Sequence, residues 1–138
     1  MKRDLRFERF YKHPPERVWR ALTEPEAIAK WYMETDFKAE VGHRFYLQTD
    51  PGPGFDGKLY GEVLEVDAPR RLVYSFKGGF MRHDTRVTWT LTDQAGGTLL
   101  VLEHTGFTGL VDAGVVSFII GYGWAKFLKN MPGALDVI

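Results

Sequence analysis

Two side chains in this 138-residue sequence have both the chemistry and the placement to act as an acid, a base or an anion clamp: His104 and Arg9. His104 follows Thr98, Leu100 and Leu102 in alternation, so a strand there turns all four to one face. An imidazole on that inner face can orient a ligand carbonyl or exchange a proton near neutral pH; hydrogen-bonded to the loop around Gly106, the same residue is purely structural. Arg9 alternates with Leu5, Phe7 and Tyr11, which either aims its guanidinium at an anionic head group or lets it snorkel at the end of the sheet. Glu62 and Arg86, on middle strands, form a buried polar pair or a solvated outer-face pair. His83-Asp84 has the look of a dyad, but neighbours along a strand point to opposite faces and no serine partner is implied, so it reads as a turn. Gly52, Gly54 and Gly57 lack the strand, helix and lysine that define a phosphate loop.

The aromatic residues suggest a different chemistry. Trp31, Phe45, Tyr60, Tyr74, Phe76, Trp89, Phe107 and Trp124, with His104, can line a pocket for a flat or aliphatic molecule, because such pockets are mostly apolar with a few polar groups. Each of them can equally be core, since aromatic rings bury large areas wherever they lie. Composition narrows the classes further. Lys and Arg total 18 and so do Asp and Glu, which leaves none of the cationic excess that a nucleic-acid binder uses against phosphates. There are no cysteines, and the four histidines show no ligand spacing, so neither a metal nor another cofactor is expected. No apolar run reads as a membrane span and no signal segment opens the chain, so the expected setting is cytoplasmic.

These side chains must be placed by a single α+β domain spanning residues 1–138. Leu5 to Tyr11 alternates as a strand. Pro14 and Pro15 close it, and Pro15 opens a helix that buries Val18, Trp19 and Leu22 and leaves Glu16, Arg17 and Arg20 in water. Thr23 and Glu26 have capping-box spacing for a second helix ending near Trp31. On this reading Trp19 anchors the helical clip to the sheet and Trp31 borders the pocket. Phe37 to Ala39, Arg44 to Gln48, Leu59 to Val66, Leu72 to Lys77, Thr85 to Thr92 and Thr98 to His104 read as strands of an antiparallel meander. The Pro- and Gly-rich segment 50–57 reads as a loop that can flap over a pocket mouth. Val115, Val116, Ile119, Ile120, Gly123, Trp124, Phe127, Leu128 and Met131 recur at helical spacing and mark one long helix, ended or kinked at Pro132.

A set of short motifs resembles one superfamily. They are Pro15-x-x-Val18-Trp19-x-Ala21-Leu22-Thr23-x-Pro25-Glu26, Gly42-x-x-Phe45, Gly61 to Asp67 with Pro69 and Arg71 to Tyr74, Thr88-Trp89-x-Leu91, Gly97-Thr98 through His104 to Gly106-Phe107, and Gly123-Trp124-x-x-Phe127-Leu128. In order and spacing they are similar to the START-like, or SRPBCC, helix-grip superfamily that includes polyketide-cyclase-like proteins. Within it they most resemble the group of homologues of the heat-shock-protein-90 ATPase activator. The resemblance implies a curved antiparallel sheet gripping a long C-terminal helix, with a cavity between them for a small hydrophobic or amphipathic molecule. The leading expectation is therefore noncatalytic binding. The alternatives are an enzyme of the cyclase, dehydratase or hydrolase kind that uses His104 or Arg9 in the same cavity, and a protein-interaction module, either a chaperone adaptor or a homodimer. The chain starts at the first strand of the grip domain, without the activator's chaperone-binding N-terminal domain, so a chaperone partner is not expected.

Overall fold

A computed structural model describes residues 1–138. Strand β1 (Lys2–Tyr11) leads into helices α1 (Pro15–Thr23) and α2 (Pro25–Trp31), followed by β2 (Glu34–Thr35), β3 (Arg44–Gln48), β4 (Lys58–Asp67), β5 (Arg71–Gly78), β6 (Thr85–Gln94) and β7 (Gly97–Thr108). The strands form one antiparallel sheet in the order β1-β7-β6-β5-β4-β3-β2. Consecutive strands β1 and β2 thus stand at opposite edges, and the α1–α2 clip carries the chain across one face. Register shifts at Arg3/Leu5 and Val63/Glu65 mark β-bulges, which bend strands and help to curve a sheet. A Cβ at Gly61 would overlap the Ser75 carbonyl and the Phe45 ring, so close approach of β4 to β5 requires glycine there.

The C-terminal helix runs over Gly109–Leu135. It consists of a short turn α3 (Gly109–Val111), a π-turn over Asp112–Val116 and the main helix α4 (Ser117–Leu135). Trp124, Leu128, Met131, Ala134 and Leu135 are buried in the α+β core, giving the helix-grip arrangement expected from the sequence. Over an 18-residue stretch of this 27-residue helix the mean hydropathy is 1.3, so by length and composition alone it is apolar enough to cross a bilayer, contrary to the expectation that no run in the chain is. Its buried residues instead pack on the domain's own core.

Four local expectations are corrected. Thr23 does not cap α2. Glu24 precedes Pro25, a position pushed out of the helical region, and it takes an extended conformation (φ −90°, ψ 123°) and becomes the N-cap residue. The Thr23 hydroxyl donates back to the Trp19 carbonyl at 2.8 Å within α1. Phe37 to Ala39 is not a strand, because the short pairing with β3 is made by Glu34 and Thr35. Arg17 is half-buried rather than wet, and its guanidinium donates to the carbonyls of Leu135 and Ile138 at the end of the long helix. Pro132 does not end α4, which continues to Leu135. A proline at this position leaves the Leu128 carbonyl without its usual i+4 partner, and the Tyr11 hydroxyl donates to that oxygen at 3.4 Å. Burial pushes the Tyr11 phenol up to about 12.

Asp112, in the π-turn, is fully buried. Its carboxylate accepts from the backbone N–H of Arg82 (2.8 and 3.1 Å) and of His83 (3.0 Å), which ties the β5–β6 connection to the start of the helix. Asp112→Ala leaves two backbone donors without this acceptor and is expected to lower the unfolding free energy by about 2–3 kcal/mol in urea titrations, with Asp112→Asn recovering part of the loss.

Candidate functional site

Between the sheet and the N-terminal half of the long helix lies a cavity of about 320 Å³, a size that takes a small organic molecule. Its sheet wall is Leu59 and Phe76, flanked by Gly78, Gly79 and Phe80 from the β5–β6 turn. The helix wall is Val116, Ile119, Ile120, Gly123, Trp124 and Phe127, and the remaining lining comes from Tyr32 and Met33 after α2 and from Thr49 and Phe55. Phe55 belongs to the 50–57 segment, so that loop does border the cavity. Side-chain polarity in the lining is limited to the hydroxyls of Tyr32 and Thr49. An apolar molecule therefore gains from burial here and has few polar groups to satisfy.

The helix is held away from the sheet by stacked rings. Trp124 packs edge-to-face on Trp89 (5.5 Å between centroids) and stacks on Tyr32 (5.0 Å), whose other neighbours are Trp31 (4.9 Å, stacked) and Phe127 (4.8 Å, edge-on). Burial, with Tyr74 nearby, holds the Tyr32 phenol well above its ordinary range, so it stays a neutral hydroxyl. Behind Tyr32 is a second void of about 10 Å³, among Trp31, Phe45, Tyr74 and Trp89, with room for about one water molecule.

Of the residues singled out in the sequence, Phe76 and Trp124 line the main cavity. Phe45, Tyr74 and Trp89 are buried in the core around the small void; the Trp89 indole donates to the Tyr74 hydroxyl at 3.0 Å, and burial raises the Tyr74 phenol. Trp31 does not border the main cavity. It is buried, and its indole donates to the Ala21 carbonyl at 2.7 Å, so it fastens the clip, the role expected of the half-buried Trp19. Phe107 packs against His104. Tyr60 is 54% exposed and lies outside this cavity. Arg9 donates to its neighbour's Glu8 carbonyl at 2.8 Å in an exposed position rather than into the cavity. Glu62 pairs with Arg44 at 3.4 Å, and Arg86 is exposed. His83 and Asp84 lie exposed in the β5–β6 connection. No three His, Asp or Glu side chains converge as metal ligands.

His104 is fully buried, and both ring nitrogens are engaged. The Trp124 indole, which can only donate, gives its proton to Nδ1 at 2.9 Å. The ring proton therefore resides on Nε2 and is donated to Thr85 Oγ1 at 2.7 Å, and the Thr85 hydroxyl donates to the Phe76 carbonyl at 2.7 Å. Burial pulls the His104 pKa down to about 3. Protonation would also set a second N–H against the Trp124 donor.

Tyr32, Met33, Thr49, Phe55, Leu59 and Phe80 were not among the candidates read from the sequence. For Tyr32 a signal was available, since it directly follows Trp31 at the end of an amphipathic helix. Phe80 follows Gly78-Gly79 in a turn, where an aromatic is hard to explain as core.

The comparisons with known proteins agree with this geometry. The family model described as "Activator of Hsp90 ATPase homolog 1-like protein" matches residues 12–136. Protein MLL2253 from Mesorhizobium loti is similar at 36% identity over 97% of both chains, with a TM-score of 0.85. CalU16 from Micromonospora echinospora is 26% identical over 99% of this chain and 78% of its own, with a TM-score of 0.78. Protein BH1534 from Bacillus halodurans is 26% identical over 98% and 99%, also with a TM-score of 0.78. Among curated proteins there is no match.

The His104 chain sets a pH dependence. The neutral imidazole is favoured in the folded state, and the unfolded state binds one more proton between the ordinary histidine value near 6.5 and the folded value of about 3. Stability should therefore be complete above about pH 6.5 and fall as pH drops through that window, by up to about 1.4 kcal/mol per pH unit from this residue. Urea unfolding at pH 7 and pH 4.5 checks this, and His104→Gln should have the shallower slope.

Proposed function

The chain belongs to the activator of Hsp90 ATPase homolog 1-like family, and we propose that it is a binding protein that holds a small hydrophobic or amphipathic molecule between its sheet and its C-terminal helix. The family's fold carries a ligand-binding cavity in general, and the observation that supports this reading here is the 320 Å³ space walled by Phe76, Ile120, Trp124 and Phe127. A ligand with a flat or branched apolar body can replace ring-to-ring contact in such a slot. The Tyr32 and Thr49 hydroxyls can meet one or two polar atoms at its end.

Binding is favoured over catalysis by the state of His104. An acid or base must reach the reacting atom, and an imidazole bonded at both nitrogens and held neutral far below the working pH has no proton or lone pair to offer a substrate. Arg9, the other candidate, is away from the cavity lining.

Gly123 provides a test, because it lines the cavity and a Cβ there meets only the Phe127 ring at 3.7 Å. Gly123→Leu puts an isobutyl group into the space and removes a mid-helix glycine, which disfavours helix by about 1 kcal/mol. The expected outcome is a variant at least as stable as the wild type that no longer shows the rise in melting temperature given by medium-chain fatty acids or aromatic polyketides. If no compound in such a panel shifts the wild type, and native mass spectrometry of gently purified protein shows only the bare chain, the reading fails.

A further inference from the structure

The outer face of the long helix is as unusual as its inner one. Val115, Phe118, Ile119 and Tyr122 follow the i, i+3, i+4, i+7 pattern of one helical stripe, and they are 54%, 58%, 64% and 76% exposed. Only 28% of the helix's apolar stretch is buried. From residue 113 to residue 135 there is no Asp or Glu, and the first charge after the stripe is Lys126, one turn further along the same face. At its side the Arg3 guanidinium lies 3.8 Å over the Phe118 ring, with Nη1 3.2 Å from Ser117 Oγ. The stripe reaches the cavity through Ile119, which lines it, as does Phe80, itself 66% exposed. Exposed carboxylates near the lining are Asp50 and Asp56 of the 50–57 loop and Glu34 beside Met33, and Asp4 beside Arg3 accepts from the Gly106 N–H; none of them is on the helix.

We infer that this stripe docks peripherally on an anionic lipid surface, with Val115, Phe118, Ile119 and Tyr122 in the interfacial layer, Arg3 and Lys126 toward the head groups, and the cavity mouth turned to the bilayer. An apolar stripe flanked by cations and free of carboxylates is the pattern of a helix that lies in a membrane interface. A tyrosine in such a stripe has an apolar ring for the acyl region and a hydroxyl for the head groups. A second copy of the chain fits less well. The four side chains expose on the order of 500 Å², below the ~800 Å² per partner of a standard interface. A two-fold contact would also bring two Arg3 groups together with no carboxylate on either helix to neutralise them. The docking rests on the exposed stripe, and only its purpose, passage of an apolar ligand between bilayer and cavity without crossing water, rests on the binding function proposed above.

The test is sedimentation of the full chain with sonicated vesicles of phosphatidylcholine alone or with about 30% phosphatidylglycerol, at low and high salt. Analytical ultracentrifugation and binding of anilinonaphthalene sulfonate in the cavity are measured on the same samples. The expected result is salt-sensitive binding to the anionic vesicles, reduced about tenfold or more by Phe118→Ser/Tyr122→Ser and by Lys126→Glu. Phe118, Tyr122 and Lys126 are not in the cavity lining, so these variants should keep probe binding and the wild-type circular dichroism. Wild-type protein that stays in solution with both vesicle types overturns the inference, as does binding unchanged in the variants. A wild-type dimer that the double variant dissociates, with no vesicle binding, also overturns it and assigns the stripe to self-association. Vesicle binding by a wild type that takes up no probe leaves the docking standing and defeats the cavity reading instead.

Discussion

The grip of sheet on helix depends on one hydrogen-bonded chain: Trp124 Nε1–H to His104 Nδ1, His104 Nε2–H to Thr85 Oγ1, and Thr85 Oγ1–H to the Phe76 carbonyl. Its direction is forced, since an indole nitrogen can only donate and a backbone carbonyl can only accept, leaving the two groups between them to relay. The chain joins the long helix to β7, β6 and β5 through atoms that are all buried, where an unpartnered donor is costly. It also fixes the depth of Trp124. With its nitrogen held by His104, the indole must lie across Trp89, and the helix cannot settle closer to the sheet than the thickness of these rings allows.

That spacing leads to two different outcomes along one helix. Toward the C-terminus, Leu128, Met131, Ala134 and Leu135 fill the gap and are all buried. Toward the N-terminus the lining includes three glycines, Gly123 on the helix and Gly78 and Gly79 at the end of β5, which add no side chain to the space between Ile119, Ile120, Leu59 and Phe76. Asp112 holds the approach to β6 against the helix start through backbone N–H groups rather than through bulky side chains, so this end is fastened without being filled. The cavity lies beside the aromatic pillar, with Val116, Ile119 and Ile120 on the helix and Leu59 and Phe76 on the sheet as its walls.

Most of the scaffold could be read from local patterns, because local physics decides it. The strands expected at β1 and from Leu59 onward all form, with alternation interrupted only by local features such as the Val63/Glu65 bulge and the buried run Leu72 to Tyr74, and Pro15 opens α1 as its missing N–H predicts. At Thr23 capping-box spacing is overridden by the constraint that Pro25 puts on Glu24, which takes the N-cap position instead. The site was harder. Trp19 packs on the core as an anchor, but Trp31 anchors too, since only the packing of α1 against α2 brings its indole to the Ala21 carbonyl. His104 was correctly placed facing inward, but its partners lie 19 and 20 residues away, and no spacing rule reveals that both of its nitrogens are taken. Tyr60 alternates like its neighbours, yet lies outside the main cavity. Val115 and Ile119 share the helical period with Trp124 but stand about 180° and about 140° round the axis from it, on the side turned to solvent.

The exposure of that stripe is a consequence of the same geometry. At 3.6 residues per turn Val115, Phe118, Ile119 and Tyr122 lie on the side of the helix turned away from Trp124, so the ring that meets the sheet and the stripe that meets solvent occupy opposite faces of one helix. Ile119 sits between the two, lining the cavity and 64% exposed. A smaller ring at position 124 would remove both the indole N–H donated to His104 and the edge-to-face contact with Trp89. Leaving so much apolar surface uncovered costs stability in water at roughly 25 cal/mol per Å². The fold carries that cost on one helix face while the polar groups of the pillar, from Trp124 through His104 and Thr85 to Phe76, are all hydrogen-bonded.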